Sequence, residues 1–496
     1  MDLLYILVFL LTVVFYYRKQ FYSVLHKFVT MQKVPSLLKY LRKYSSKNMD
    51  SDQNWKALIK SCTEFVKTTK NKLASLNLGP LSVLFLLHPD TAKVFLRGNK
   101  SSQKSLMYKL FVPWLKDGIA LSYGDKWKHR RNLVTPPFHS IMLKSYLNAV
   151  NTKADLLIVK LSEIVKEEKK VDISKFLKLC AFDIICETAL GINAGALENK
   201  KHQYIDTIHE LAKVIEQRRL NPILFNDFIF SFTHWSKKQK ELLKIVHGFT
   251  GSIITEAKKN LIPESSESKS LLETLLVSNN ADGTPLTFED IQEEIDGFIF
   301  GGLDTSSTVL LWTIYLLGKY PEVQKKIQEE VDDVLPSVSN QFISYEHLKD
   351  LQYMNLVLKE AMRLYPPVPV LGRTTETDYV VDNKLIPKGV DVLILVHFIH
   401  RNPDVWPDPN KFDPQRFSID QASERSPFAY IPFSAGSRNC IGQRFAWQEM
   451  KIILAKFVQN FQIKSSGKDE DIKVSLGLTY EPACILDINL SLRKNV

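Results

Sequence analysis

The sequence predicts a mainly helical chain of α+β class with a small β-sheet towards its N-terminal side. Three stretches carry that expectation. An apolar pattern of helical period runs from Thr287 to about Leu317, longer than most globular helices. A second, F-A-W-Q-E-M-K-I-I-L-A-K-F from Phe445 to Phe457, comes after a glycine-rich loop. Leu73 to Leu87 alternates instead and carries Gly79-Pro80, which suggests a hairpin.

Taken in order, the chain opens with Leu3 to Tyr17, unbroken by charge. As a helix this stretch is about 22 Å long, short of a ~30 Å hydrocarbon core. Gln20, Phe21 and Tyr22 would extend it, with Arg18 and Lys19 snorkelling. A basic leader region and a small-residue cleavage site are both missing, so residues 1–22 are expected to be a transmembrane signal anchor rather than a cleaved peptide. Arg18, Lys19 and Lys27 place the rest of the chain on the cytoplasmic side. Residues 23–48 form a basic linker that either lies along the bilayer or is a solvated helix.

The net charge of +11 is unaccompanied by any nucleic-acid motif, so the expected partners are a membrane surface and an acidic protein, with no nucleic acid. Five cysteines, odd in number and without metal-finger spacing, point to a reducing compartment.

Trp127 and Arg131 lie four apart, on one helix face, among Lys126, Lys128 and Arg130, which are expected to stay outside for partner docking. Leu220 to Phe232 is dense in large apolar side chains and suits either a surface patch or helix core. The long helix should be capped by Thr287 with Asp290. Its centre, G-G-L-D-T-S-S from Gly301 to Ser307, is unusual. Two mid-helix glycines cost about 1 kcal/mol each, and Thr305 can bond back to a carbonyl one turn earlier, loosening the helix. Asp304 and Thr305 supply a carboxylate and a hydroxyl in sequence, suited to relaying protons. Glu360 and Arg363 sit three apart before Tyr365-Pro366-Pro367, and F-D-P-Q-R-F, from Phe412, brings Arg416.

The glycine-rich loop reads P-F-S-A-G-S-R-N-C-I-G from Pro432 to Gly442. A cysteine just before a helix is expected to have a lowered pKa and so to be available as a metal ligand. Gly436 permits the tight turn and Gly442 a flat ligand's approach. Phe433 can shield the sulfur, and Arg438 can pair with a carboxylate. These parts suit a cysteine-ligated haem.

Phe433, Gly436, Arg438, Cys440 and Gly442 match the F-x-x-G-x-R-x-C-x-G loop of the cytochrome P450 monooxygenases, and the chain resembles that family over nearly everything after the N-terminus. Ala181 to Gly191 resembles the fatty-acid ω-hydroxylase branch, family four. The resemblance implies the cytochrome P450 fold in one domain, residues 49–496, with haem b ligated by Cys440. It further implies that Trp127, Arg131, Arg373 and Arg438 hold the haem propionates, that Asp304 and Thr305 deliver protons, and that Glu360, Arg363 and Arg416 form a buried structural triad.

Gly301 departs from the branch's frequent glutamate, so no ester to the haem is expected and the cofactor should be noncovalent. No G-x-G-x-x-G fingerprint is present. Electrons are therefore expected from a separate NADPH–cytochrome P450 reductase, with cytochrome b5 as a second donor, at the endoplasmic reticulum membrane. The implied reaction is hydroxylation of a fatty acid or related lipid with O2. A terpenoid, steroid or xenobiotic monooxygenase is the alternative; a lipid-hydroperoxide isomerase and a noncatalytic haem sensor are two further ones.

Overall fold

The computed structural model describes residues 27–493, apart from 28, 47–48, 79–80, 98–102, 168–170, 261–269, 336–341, 469–470 and 476–478. The expected hairpin is present: Leu73–Leu78 pairs antiparallel with Leu81–Leu86, its Gly79-Pro80 connection lying outside the described residues. Two strands from the other half of the chain complete a four-stranded sheet. Leu81–Leu86 pairs in parallel with Asp391–Ile394, which pairs antiparallel with Leu371–Thr374. A short helix, Leu38–Tyr44, docks beside the sheet, with Leu37 and Tyr40 buried and the Tyr40 ring edge-on to Phe65.

The rest is mostly helical and surrounds Phe288–Lys319. Its start is set as the sequence dictates: Asp290 N–H donates to Thr287 Oγ1 at 3.1 Å, and Thr287 N–H donates to the Asp290 carboxylate at 2.9 Å. Leu303, Leu310, Ile314 and Leu317 are fully buried. Against its middle packs Ile173–Ile185, so closely that a Cβ on Gly302 would stand 2.9 Å from the Ile185 side chain. Gly302 thus serves the approach of two helices. The helix runs through residues 301–307 without interruption, although Thr305 does bond back to the Gly301 carbonyl at 2.7 Å. Trp312 stacks on Tyr365, centroids 3.9 Å apart, and its indole N–H donates to the Tyr480 carbonyl at 2.9 Å. Gln443–Asn460, the helix behind the cysteine loop, buries Ile452, Leu454 and Phe457 in the same core.

One part of the expected fold class is corrected. Among the described residues no helix is long and apolar enough to cross a membrane. The longest, Phe288–Lys319, carries Glu289, Asp290, Glu293, Glu294, Asp296 and Asp304 along its length, and unpaired carboxylates are costly in hydrocarbon. The anchor expected at residues 1–22 lies outside the described residues. The transmembrane helix, and the endoplasmic-reticulum membrane location that rested on it, are withdrawn. The Leu220–Phe232 stretch is in part a surface patch: Ile223, Phe228 and Phe232 are mostly exposed. All five cysteines are free.

Candidate functional site

The Cys440 loop is shaped by its glycines. Gly436 has φ +74°, and a Cβ there would fall 1.9 Å from the Leu96 carbonyl oxygen, so only glycine fits. Cys440 N–H donates to the Phe433 carbonyl at 2.9 Å and closes the turn. Phe433 faces Trp447 of the adjoining helix, centroids 6.2 Å apart. Gly442 is different: a Cβ there would meet only Phe138 and the Cys440 sulfur, at 3.9 and 4.0 Å. The protein itself does not demand a glycine at 442, which leaves room beside the sulfur.

Cys440 is exposed, the other cysteines apart from Cys484 being buried. Its thiol does not have the lowered pKa expected at a helix start. Enclosure by the surrounding protein pushes it up, and the Gly442 N–H and the Arg131 charge only partly offset this. Helix Gln443–Asn460 begins three residues later, too far for its end to dominate. A bound metal cation would deprotonate such a thiol outright.

Around this loop gather cations from separate parts of the chain. Trp127 and Arg131 come from the Gly124–Val134 helix. Arg131 donates to the Asn439 carbonyl and side chain at 3.0 and 2.9 Å, and Trp127 lies under the Arg438 guanidinium at 4.1 Å. Arg438 also donates to the Ile119 and Ser122 carbonyls, while its buried Nε has no partner among the described residues. Arg373, 2% exposed on its strand, donates to the Gly372 carbonyl at 2.8 Å. Burial and the charges of Arg373 and Arg131 pull Arg438 down to about 9. Lys104, which carries no signal in the sequence, lies over the Tyr108 ring; burial and the charges of Arg373 and Arg438 hold it well below the usual lysine range.

Among the described residues no carboxylate forms an ion pair with Arg131, Arg373 or Arg438. Converging cations with no ion-paired carboxylate among the described residues, next to an open cysteine, fit a group that brings its own carboxylates and a metal, as haem does. On the long helix, a Cβ on Gly301 would meet nothing within 4 Å.

Asp304 and Thr305 are adjacent in sequence but face different surroundings. Thr305 is half-buried beside Gly301. Asp304 is 2% exposed, and its Oδ1 lies 3.5 Å from Lys178 Nζ and 3.9 Å from His209 Nε2. Burial pushes the Asp304 carboxyl up, but the Lys178 charge and the His209 ring outweigh it and hold it below the ordinary range. The sequence did hold a signal for Lys178: a lysine set among apolar residues on a helix needs a partner when buried.

Of the other basic residues near Trp127, only Lys128 is well exposed. Arg130 is 2% exposed and pairs with Asp290 at 2.5 Å, and Lys126 pairs with Glu293 at 2.8 Å. The docking surface expected there is corrected to that extent.

Glu360, Arg363 and Arg416 do come together. Arg363 makes a two-pronged bond to Glu360, at 2.7 and 2.8 Å, and Arg416 Nε lies 3.4 Å from the same carboxylate. Glu360 also accepts from the Asp413 N–H at 2.9 Å. Arg363 further donates to the carbonyls of His400, Pro409 and Lys411.

Comparison with known proteins gives the family of the chain. The family model described as Cytochrome P450 matches residues 46–484. Cytochrome P450 4V2 of Mus musculus is 37% identical over 418 residues, covering 82% of this chain and 79% of that protein. Cytochrome P450 4F12 of Homo sapiens is 34% identical over 419 residues, 82% and 80% of the two chains. Cytochrome P450 4c3 of Drosophila melanogaster is 32% identical over 428 residues, 83% and 80%.

Proposed function

The chain belongs to the cytochrome P450 family and is a haem-thiolate monooxygenase, and on that premise we propose how its own residues serve the reaction. It acts on apolar, fatty-acid-like substrates and binds haem b noncovalently. O2, an electron donor and a lipid substrate are the partners that family membership implies.

When bound, the haem supplies oxygen activation and insertion into a C–H bond. Cys440 ligates its iron, and Phe433 with Gly436 fixes the loop that aims the sulfur. Gly442 leaves the space a flat macrocycle needs. Arg131, Arg373 and Arg438, with Trp127 stacked beneath the last, hold the two carboxylates. Asp304 and Thr305 move protons across the long helix: Asp304 from the protein side, Thr305 from the open side. Glu360, Arg363 and Arg416 serve folding rather than chemistry. NADPH–cytochrome P450 reductase is the proposed electron donor, with cytochrome b5 as a second, since the sequence has no nucleotide fingerprint of its own.

The observation that carries this reading is the set of cations, with no ion-paired carboxylate among the described residues, beside the open Cys440 sulfur. The test is Cys440→Ala. The ferrous CO complex of the wild type is expected to show the thiolate-type absorption, and the variant to lose it. A variant that keeps that absorption would refute the assignment of the ligand.

A further inference from the structure

The segment between the Val112–Leu115 and Gly124–Val134 helices is pinned to the long helix. Asp117 N–H donates to Glu293 Oε2 at 3.1 Å, and Ile119 N–H donates to Glu294 Oε2 at 3.0 Å. Between them, a Cβ on Gly118 would stand 2.6 Å from the Glu293 carbonyl oxygen, so the two backbones touch. Lys126 reinforces the contact by pairing with Glu293 at 2.8 Å and with Asp117 at 3.1 Å.

The same segment holds the arginine of the cysteine loop. Arg438 Nη1 donates to the Ile119 carbonyl at 3.2 Å, and Nη2 donates to the Ser122 carbonyl. Ser122 N–H donates in turn to the Gly118 carbonyl at 2.9 Å, which ties the second acceptor to the pinned residues. Ile119 thus links Glu294 on its N–H to Arg438 on its carbonyl. With both terminal nitrogens engaged, the buried Arg438 Nε is the one left without a partner among the described residues.

Glu294 is fully buried, and its Oε1 lies 3.8 Å from Arg130 Nε with no hydrogen bond closed onto it. Burial pushes its carboxyl up to about 7, the Ile119 N–H and the Arg130 charge only partly opposing this. Burying an acid is costly where packing alone is needed. What the acid adds is an acceptor at a fixed point on a rigid element.

We propose that Glu294 is a positioning residue for haem binding: by fixing Ile119 it sets the direction in which Arg438 meets a haem carboxylate. The inference rests on the reading that Arg438 holds that carboxylate. The long helix then carries both the residues that move protons and the residue that keeps the arginine in place.

The test follows haem leaving the loaded enzyme into a large excess of apomyoglobin, read as the change in haem absorption with time. Glu294→Leu is expected to release haem about tenfold faster than wild type, the usual scale when a group supporting a cofactor contact is removed. Glu294→Gln keeps an acceptor oxygen and is expected to release at the wild-type rate. Gly118→Ala forces the segment off the Glu293 carbonyl with both acids intact, and is expected to match Glu294→Leu. Arg438→Met is itself expected to be faster than wild type. In its background neither Glu294→Leu nor Gly118→Ala is expected to accelerate release further, because the group they position is gone.

Wild-type release in Glu294→Leu would overturn the inference. So would undiminished acceleration in the Arg438→Met background, the mark of a merely structural role. Glu294→Gln behaving like Glu294→Leu would overturn it as well, leaving the acid to balance the Arg130 charge. If Glu294→Leu fails to fold, Gly118→Ala decides by the same two measurements. Arg438→Met separates the two readings. If it releases haem faster while Glu294→Leu does not, only the positioning role fails. If it releases at the wild-type rate, the role of Arg438 falls and that of Glu294 with it.

Discussion

Replacing Arg363 with alanine removes one guanidinium from a place where water cannot substitute for it. Arg363 and Glu360 are both fully buried, and the arginine makes five hydrogen bonds: two to the Glu360 carboxylate and three to the carbonyls of His400, Pro409 and Lys411. The substitution leaves Glu360 with the Asp413 N–H and with Arg416, whose Nε is 3.4 Å away. Breaking a buried pair from one side costs about 3–5 kcal/mol. Each stranded carbonyl adds about 1–3 kcal/mol unless the structure relaxes around it. The sum, about 6–14 kcal/mol, is comparable to the roughly 5–15 kcal/mol by which a domain is usually stable. Burial already pushes the Glu360 carboxyl up despite the Arg363 charge beside it; without that charge it would take up a proton and limit the loss to the lower part of the range. Arg363→Ala should therefore yield little haem-loaded protein, measured as the haem absorption per mole of purified chain. Arg363→Lys should fare little better, because one ammonium cannot reach five acceptors. Wild-type haem content and an unchanged melting temperature in Arg363→Ala would refute the reasoning.

Other sites offer three shorter tests. Glu449 is 1% exposed, its Oε2 has no hydrogen bond, and burial raises it to about 8 from an ordinary 4.5. A raised acid contributes stability below its unfolded pKa and loses it as pH climbs through the folded value, at about 1.4 kcal/mol per unit. Glu449→Gln should thus gain stability relative to wild type between about pH 5 and about pH 8, read as thermal midpoints at both ends. A constant difference would contradict the assignment. Gly436→Ala should lose most of its haem, since a left-handed residue costs about 1–2 kcal/mol before the clash with the Leu96 carbonyl; full haem content would count against the loop geometry. Wild-type haem should extract fully into acidified acetone, and residual protein-bound haem would reveal a covalent link not made at Gly301.

Local rules made much of this molecule legible. The Thr287 capping box, the Leu73–Leu86 hairpin and the seating of Cys440 ahead of a helix each depend on neighbours within a few residues. Glu360 and Arg363 are readable as a pair from their spacing on one helix face. What escaped depends on distant chain. Arg130 has the sequence environment of a surface cation, yet Asp290, 160 residues on, draws it into the interior. Lys178 shows only as an odd residue in an apolar run until Glu481, His209 and Asp304 arrive from three other elements. The adjoining helix alone would lower the Cys440 thiol, but enclosure by the rest of the fold outweighs that local field.

The parallel pairing of Leu81–Leu86 with Asp391–Ile394 has a bearing on how the molecule is made. Val83 meets Asp391, and at about 5–20 residues per second of synthesis the first strand waits roughly 15–60 s for the second. Until then the hairpin is an open template with one unpaired edge, the kind of surface that recruits foreign strands. Because Leu96, whose carbonyl excludes a side chain from Gly436, emerges at the same early stage, the pocket floor cannot be assembled before Gly436 itself has been made. A cell making this enzyme must shield the hairpin until Asp391–Ile394 has been made.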